Sequence, residues 1–542
     1  MKLVECVPNI SEGRNREVYE AVAQAAASVP GVSLLDVDPG QETNRTVITF
    51  VGSPDAVVDG AFELIRKAYE LIDMRGHTGA HARQGAVDVV PFVPVADVTM
   101  EECVELAHRL GRRVGEELGV PVYLYEYAAT RPERRSLADI RVGEYEALAE
   151  KLKKPEWAPD YGPAEFVPSF GAVVIGARKF LVAYNVDLNV TDKRWANRVA
   201  FDVREKGRTV VKDGKKVRQP GLLKAVRAVG WYIPEYGRAQ VSMNLVDLDV
   251  TPVHVAFDAC EERARARGMR VTGSELVGLI PRKAILDAGR HFLRRMGRST
   301  GVPESDVVHA AVLGLGLEDV APFEPEKKII ESILAEERPL ASMTLQGFAD
   351  ETSRDSAAPG GGSVAALAGA LGAALAAMVA NLPHPKSAYA GVRDELEAIA
   401  VEAQELKQRL LDAIDDDTKA FNAMMEANRL TGEEKERAVR EATLGAARVP
   451  LSVVEACPRI AELAGRAAEL GLPASASDGG VGAAMARASA VGAAMNVRIN
   501  LQEMADDPDA AALLERAEKA LAETERIAAG VERAVWARLG RE

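Results

Sequence analysis

The run TVITFV at residues 46–51 decides how the first half of this chain folds. Five of its six residues are β-branched and the sixth is Phe50, a composition that packs on a pleated sheet and crowds a helix. Immediately upstream, DPGQETN (38–44) is turn chemistry, and VSLLD (32–36) before it is a second β-rich run. Working outward gives further strands at 3–8, 87–95 and 122–125, with helical periodicity at 16–28, 55–72 and 100–118. Strands 32–36 and 46–51 share a short turn while the others are joined by helices. That pattern predicts a mixed sheet with helices on one face, of the split βαβ kind.

A second α/β unit is expected after the charged, Pro-containing stretch 128–169. Residues 170–175 and 180–190 read as a hairpin around GARK (176–179). A helix at 194–205, a strand at 241–248, a helix at 253–267 and a strand at 269–271 come next. Beyond residue 345 the chain is rich in Ala, Leu and Glu with helical period: 365–381, 391–426, 433–447, 450–470, 480–504 and 508–540. The expected class is therefore α/β plus all-α: two split-βαβ-type subdomains (1–175 and 176–325), a linker (326–342) and a C-terminal helical bundle (343–542).

The totals exclude several functions. A net charge of −14 argues against a general nucleic-acid binder. Four scattered cysteines without CxxC spacing fit a reducing, cytoplasmic setting and argue against a disulfide or zinc framework. The uncharged stretch SVAALAGALGAALAAMVANL (363–382) is long enough to span a bilayer. Its bulk is Ala and Gly, and Asp350, Glu351 and Asp355 precede it, so a packed bundle helix is expected and no membrane partner.

Reactive side chains are densest in RGHTGAHARQGA (75–86). His77 and His81 are four apart, but Gly79 lies between them and no HExxH glutamate is present, so no metal is expected. Histidine with Arg83 beside a glycine-bearing loop suits acid–base work on an anionic substrate. NISEG (9–13), DVDPG (36–40) and TNR (43–45) sit at strand ends and could line the same cleft. In the C-terminal half PGGGS (359–363) opens the Ala-rich helix, where main-chain N–H groups could meet an anion. Asp478 lies just before a helix, DDD (415–417) within one.

In order and spacing, ECVPNISEG (5–13), LLDVDPG (34–40), TNRTVITFVG (43–52), HTGAHARQGAVDVVPFVPV (77–95), GPAEFVPSFGAVVIGARKFLVAYNV (162–186) and LVGLIPRKAILDA (276–288) resemble the glutamate formiminotransferase family. Residues 345–379, DDDTKAFNAMM (415–425) and 475–501 resemble the formiminotetrahydrofolate cyclodeaminase / methenyltetrahydrofolate cyclohydrolase family. Together they resemble bifunctional formiminotransferase-cyclodeaminases. The resemblance implies substrates held between two α/β subdomains and an all-helical second enzyme. It carries the family's active-site histidine, from a GEHPR-type motif, onto His81, with Ala80 and Ala82 at the Glu and Pro positions. The partner aspartate falls on Asp38.

The resemblance also implies a chemistry in two steps. Tetrahydrofolate, the co-substrate, attacks the formimino carbon of N-formimino-glutamate through N5. His81 takes the N5 proton and returns it to the departing glutamate, with Asp38 orienting the ring. Asn9, Asn44, Arg45, Arg83, Gly85, Arg178 and Lys179 are the expected substrate contacts. In the second reaction N10 closes on the same carbon and ammonia leaves. Asp478 is the preferred carboxylate and Asp417 the second, with Gly360, Gly361, Gly362, Ser363, Arg498 and Asn500 as contacts. The folate is expected to be polyglutamylated and the protein a homo-oligomer. A formyl donor with cyclohydrolase activity, or folate binding without turnover, are the competing readings.

Overall fold

The structure, a computed structural model, describes the whole chain except residues 1, 42, 80–81, 235, 336–337, 357, 505 and 541–542. It separates into two compact units. One comprises residues 1–285 and 315–334, the other residues 286–314 and 335–542.

The first sheet of the α/β unit contains β1 (Leu3–Cys6), β2 (Asn9–Ile10), β3 (Val32–Gly40), β4 (Arg45–Gly52), β5 (Val87–Ala96), β6 (Val122–Glu126) and β7 (Val173–Ala177). Their order is β1-β4-β2-β5-β7-β6, with β3 paired to the other side of β4. β4 is antiparallel to β1, β2 and β3, whereas β7 runs parallel to β5 and β6. Helices α1 (Arg16–Ala27), α2 (Pro54–Leu71) and α3 (Met100–Glu117) cover one face. Their starts are written locally: Asn15 accepts the Glu17 N–H, Ser53 precedes Pro54, and Thr99 with Glu102 forms a capping box. Ile48 and Phe50 are fully buried between β4 and those helices. Two short helices, α4 (Leu137–Ile140) and α5 (Leu148–Lys151), lie in the stretch between β6 and β7, and their Ile140 and Leu148 pack on Val89, Tyr123 and Val174.

The expected hairpin around residues 176–179 does not form. β7 joins the first sheet, and β8 (Val182–Leu188) begins the second. All five residues of β7 are buried, Val173 and Ile175 in one core cluster and Val174 in another. A strand buried on both faces belongs in a sheet interior, between parallel neighbours. The boundary expected at residue 175 therefore falls inside a strand.

The second sheet has the antiparallel order β11-β12-β8-β13, where β11 is Val226–Ile233, β12 Arg238–Leu245 and β13 Val271–Val277. A separate ribbon, β9 (Arg208–Lys212) with β10 (Lys215–Gln219), lies between β8 and β11 in the chain. Helices α6 (Lys193–Val203) and α7 (Val253–Arg265) pack on one face of the four-stranded sheet. Gly230 lies against the Asn197 main chain, and Met243 Sδ meets Cys260 Sγ at 3.7 Å. Alternation then turns Trp231, Gln240, Asn185, Asp187 and Glu275 away from those helices.

Helix α8 (Arg282–Arg295) carries the chain out of this unit, and α9 (Glu304–Leu315) comes after it. Residues 286–314 pack with the helical half, whereas the sequence pattern places them in the second α/β subdomain. Thr300 Oγ1 donates to Glu397 at 2.6 Å, and Asn381 Nδ2 donates to the Gly301 carbonyl at 2.7 Å. The chain returns through α10 (Pro325–Lys328) and α11 (Ile330–Ile333), part of the stretch expected as linker. Ile330 is fully buried against Leu3 and Val51 of the first sheet.

After α12 (Leu345–Thr352), the helical unit is built from α13 (Gly361–Asn381), α14 (Arg393–Ala427), α15 (Gly432–Leu470), α16 (Ala476–Leu501) and α17 (Pro508–Arg538). The break expected near residue 449 is absent: α15 runs unbroken through Pro450 and Pro458. Proline removes one helical hydrogen bond each time, but Leu444, Ala447, Leu451, Val454 and Ile460 all sit in the bundle core, which holds the helix together. Among the described residues α13 is the one helix long and apolar enough to cross a membrane, and most of it is buried in the bundle. Small residues let α16 approach closely: a Cβ on Gly372 would sit 2.8 Å from the Gly482 carbonyl oxygen. Gly372→Leu is expected to overpack this crossing and lower stability by about 1–3 kcal/mol, read as a fall in the thermal midpoint of the helical unit.

Candidate functional site

Three loops at the ends of first-sheet strands are tied together by one side chain. Asn44 Oδ1 accepts the Gly13 N–H at 3.0 Å, and Asn44 Nδ2 donates to the Thr78 carbonyl at 3.0 Å. Asn44 itself is left-handed, with φ 48°. Asparagine tolerates that conformation better than most residues. Two glycines make the approach possible: a Cβ on Gly79 would lie 2.3 Å from the Thr43 oxygen, and one on Gly85 2.4 Å from the Ala172 oxygen. Asn9, also buried, donates to the Val7 carbonyl at 2.9 Å.

His81 lies outside the described residues, as does Ala80. His77 is placed, and its hydrogen bonds fix its tautomer. Arg83 Nε can only donate, and it reaches His77 Nδ1 at 3.1 Å. The proton is therefore on Nε2, which donates to the Asn44 carbonyl at 3.0 Å. Burial, reinforced by the nearby Arg83 charge, holds the His77 pKa below 6.5 against the opposing hydrogen bond to Asn44. His77 is thus a neutral strut with both nitrogens engaged.

The cations divide into committed and uncommitted. Arg83 is buried and spans Glu144 at 2.9 Å and Glu146 at 2.6 Å. Lys179 pairs with Asp247 at 2.8 Å and Asp249 at 3.3 Å. Arg178 donates to the Lys179 carbonyl at 3.0 Å, and its charge opposes the burial that pushes the Glu5 pKa up to about 7. Arg45 differs. Its Nε is buried without a hydrogen-bond partner, and burial depresses its pKa. The nearby Asp88 carboxylate is already engaged by Arg141 and by the Gln84 N–H. Asp38 is exposed on β3 and contributes charge near Arg45. Two arginines thus share one buried carboxylate, with the Asp38 charge as the second negative neighbour of Arg45.

Sequence reasoning missed Asp88 and Arg141, the latter because 128–169 reads only as a connection. It also missed a polar group on the second sheet. Glu275 accepts from Asn185 Nδ2 (3.2 Å), Tyr236 (3.0 Å) and Gln240 Nε2 (3.3 Å), and Gln240 Oε1 accepts from Trp231 (2.7 Å). The stretch around Trp231 and Gln240 carries no recognised motif, so nothing points to it.

In the helical unit the glycine run behaves differently at each position. A Cβ on Gly362 would lie 2.2 Å from Asp417 Oδ1, and one on Gly361 would lie 3.2 Å from Asn496 Nδ2. A Cβ on Gly360 would meet open space. Asp417 accepts hydrogen bonds from the Ser363 main chain and hydroxyl, the latter at 3.4 Å, but burial dominates and raises its pKa. The single Ser363 hydroxyl hydrogen is shared with the Ile414 carbonyl, the nearer acceptor at 2.9 Å. Next to the opening at Gly360, Asn496 thus lies against Gly361 and Asp417 against Gly362.

Asp478 stands elsewhere. It is in the first turn of α16, half-buried, behind Ser475 at the N-cap position. Eighteen residues separate it from Asn496 on the same helix, about 27 Å at 1.5 Å per residue. Arg498 is exposed and pairs with Glu518, while Asn500 Nδ2 donates to the Ala446 carbonyl at 3.0 Å. Among the described residues no three His, Cys, Asp or Glu side chains gather as a metal site.

Residues 3–178 match the family described as formiminotransferase domain, N-terminal subdomain, and residues 183–335 match formiminotransferase domain. Residues 344–519 match formiminotransferase-cyclodeaminase. The chain is 45% identical to the formimidoyltransferase-cyclodeaminase of Gallus gallus over 515 residues, which covers 93% of this chain and 94% of that one. With the Sus scrofa protein of the same description it is 44% identical over 537 residues, 97% and 98% of the two chains. The glutamate formimidoyltransferase of Thermoplasma acidophilum is 44% identical over 303 residues, 56% of this chain and 95% of its own.

The His77 geometry predicts a pH dependence. A histidine whose folded pKa is depressed adds stability that is fully present above its unfolded value of 6.5 and is lost as the pH falls through the folded value. In His77→Gln, the loss of stability between pH 7.5 and pH 5.5 should be smaller than in the parent, measured by urea unfolding of both proteins at each pH. Equal losses would mean that His77 titrates alike in both states.

Proposed function

The chain belongs to the formimidoyltransferase-cyclodeaminase family, and we propose that its two reactions run at the Arg45 cleft and at the Gly361 opening. It has glutamate formimidoyltransferase and formiminotetrahydrofolate cyclodeaminase activities, which belong to histidine degradation. Formiminoglutamate and tetrahydrofolate are its substrates.

In the transferase reaction N5 of tetrahydrofolate adds to the formimino carbon. The tetrahedral adduct collapses when the glutamate nitrogen takes up a proton and leaves. His81 is assigned the proton transfer by its place in the family motif. Arg45 is assigned a glutamate carboxylate, because among Arg45, Arg83, Arg178 and Lys179 its buried Nε has no partner while its charge neighbour Asp88 is engaged by Arg141. Leaving such a donor unpaired is costly, and a carboxylate would satisfy it with a charge-assisted bond. Arg83 and Lys179, both engaged by carboxylates, are assigned structural roles instead.

In the second reaction N10 bonds to the formimino carbon and the exocyclic carbon–nitrogen bond breaks. The N10 proton ends on the departing ammonia. Asp417 is assigned this transfer in preference to Asp478. The observation that carries the choice is its carboxylate lying over Gly362 beside the opening, with burial raising its proton affinity.

Two further readings concern setting. The helical unit exposes an apolar stripe on two adjacent helices: Val364, Leu371 and Met378 of α13, with Val481, Met495 and Ile499 of α16. Met495 and Ile499 are 65% and 62% exposed, and such a face suits a homo-oligomer. Four free, buried cysteines suit a reducing, cytoplasmic compartment.

The test is an assay of the purified chain with formiminoglutamate and tetrahydrofolate, following methenyl-tetrahydrofolate and ammonia. Asp417→Asn should slow cyclisation by about 100- to 10,000-fold while transfer continues, so that 5-formiminotetrahydrofolate accumulates. Asp478→Asn should cyclise at the parent rate. The reverse outcome would restore Asp478. Arg45→Met should raise the KM for formiminoglutamate by about tenfold or more and spare cyclisation of supplied 5-formiminotetrahydrofolate. An unchanged KM would remove Arg45 from the carboxylate site.

A further inference from the structure

Arg45 and Asp88 stand at the same end of the first sheet. Ile10 of β2 pairs with Thr46 of β4 on one side and Val87 of β5 on the other. Arg45 and Asp88 adjoin those two partners, so their strands are two spacings apart, about 10 Å. Burial lowers the Arg45 pKa, and Asp88 is the strongest charge opposing it. A buried guanidinium and a buried carboxylate so placed are expected to pair, because each is costly to leave alone. Arg45 Nε nevertheless has no partner. The reason lies on the other side of Asp88. Its Oδ1 accepts the Gln84 N–H at 2.8 Å and Arg141 Nε at 3.3 Å, and its Oδ2 accepts Arg141 Nη2. One guanidinium thus covers both carboxylate oxygens, the strongest form of such a pair.

Arg141 is itself fixed by its neighbours. It follows α4, whose Ile140 is buried in the cluster with Val89, Tyr123 and Val174. The Ile140 carbonyl receives Gln84 Nε2 at 3.2 Å and Lys151 Nζ at 2.9 Å. Gln84 therefore ties to both Asp88, through its main chain, and α4, through its side chain. We propose that Arg141 is a positioning residue for formiminoglutamate: by holding Asp88 in a two-point ion pair it keeps that carboxylate off Arg45, and so keeps Arg45 open to a carboxylate of the substrate. An internal carboxylate on Arg45 would compete with the substrate at the high effective concentration of a tethered group. Lysine could not replace Arg141 fully, because a point charge does not cover two oxygens in one plane. The inference rests on the assignment of a substrate carboxylate to Arg45.

The test is the initial rate of transfer by the full chain at saturating tetrahydrofolate and varied formiminoglutamate. Arg141→Met should raise the KM for formiminoglutamate about tenfold or more, and by more than it lowers kcat, because Arg45 then turns onto Asp88. Combining Arg141→Met with Asp88→Asn removes the competing charge together with its holder, and should return the KM to within about threefold of the parent. Arg141→Lys keeps the buried charges balanced but leaves one Asp88 oxygen uncovered. It should raise the KM about threefold or more, and is the readout if Arg141→Met does not fold. An Arg141 that touches the substrate itself predicts a KM as high in the double variant as in the single one. An Arg141 that only supports the fold predicts a lowered thermal midpoint and kcat with an unchanged KM. Either result would overturn the proposal. Arg45→Met separates the two levels. A raised KM there, with the parent KM in both Arg141 variants, removes only the role of Arg141; an unchanged KM there removes the carboxylate site on which that role depends.

Discussion

The loops at the ends of the first-sheet strands depend on one carboxamide. Asn44 joins the Gly13 N–H to the Thr78 carbonyl, and so fixes loops that begin at three different places in the sequence. Its own carbonyl then receives His77 Nε2–H, and His77 receives Arg83, which ends on Glu144 and Glu146. The chain of bonds is directional at every step. Arg83 can only donate, so His77 must be neutral with its proton on Nε2, so the Asn44 carbonyl must be free to accept. The left-handed turn at Asn44 is what presents that carbonyl. Replacing Asn44 leaves buried polar groups without a partner, a cost of about 1–3 kcal/mol, and loosens the loops it joins.

The helical unit solves its positioning problem by removing side chains. Gly362 leaves room for the Asp417 carboxylate, Gly361 for the Asn496 amide, and Gly360 for nothing the protein supplies. The same economy of side chains lets α13 and α16 cross closely at Gly372 and Gly482. Both parts of α13 therefore lack bulk for a packing reason, one against a helix and one against functional groups.

Much of this was legible in sequence. TVITFV and its turn located the first sheet, and the helical second half was evident from its period and composition. What was missed had local causes. β7 reads as one arm of a hairpin because it is short and followed by a glycine-containing turn; only its burial on both faces shows that it closes the first sheet. Pro450 reads as a helix break, and the core contacts that override it are distant in sequence. For the candidate sites, the motifs named the glycines, Asn44, Arg45 and Asp417. They could not rank the cations, because commitment depends on partners such as Glu144, Glu146 and Asp247, which are far along the chain or sit in stretches without a motif. Nor could they show that Asp417, inside α14, lies against Gly362 at the start of α13, a contact between stretches distant in sequence.

The glycine run before α13 reads as an anion site, and the structure answers that reading with the chain's own carboxylate. Asp417 takes the position at the helix N-terminus that an external anion would take, accepting from Ser363. Two opposing effects then act on its proton. The hydrogen bonds from Ser363 favour the ionised form, as the helix N-terminus does in general. Burial favours the protonated form and prevails. Asp417 therefore holds a proton more strongly than an aspartate in water. In the role proposed for it, the group would take the proton N10 loses and surrender it to the departing amine within one turnover. An external anion at the same helix end would supply charge but no proton carrier held at a fixed distance from the opening.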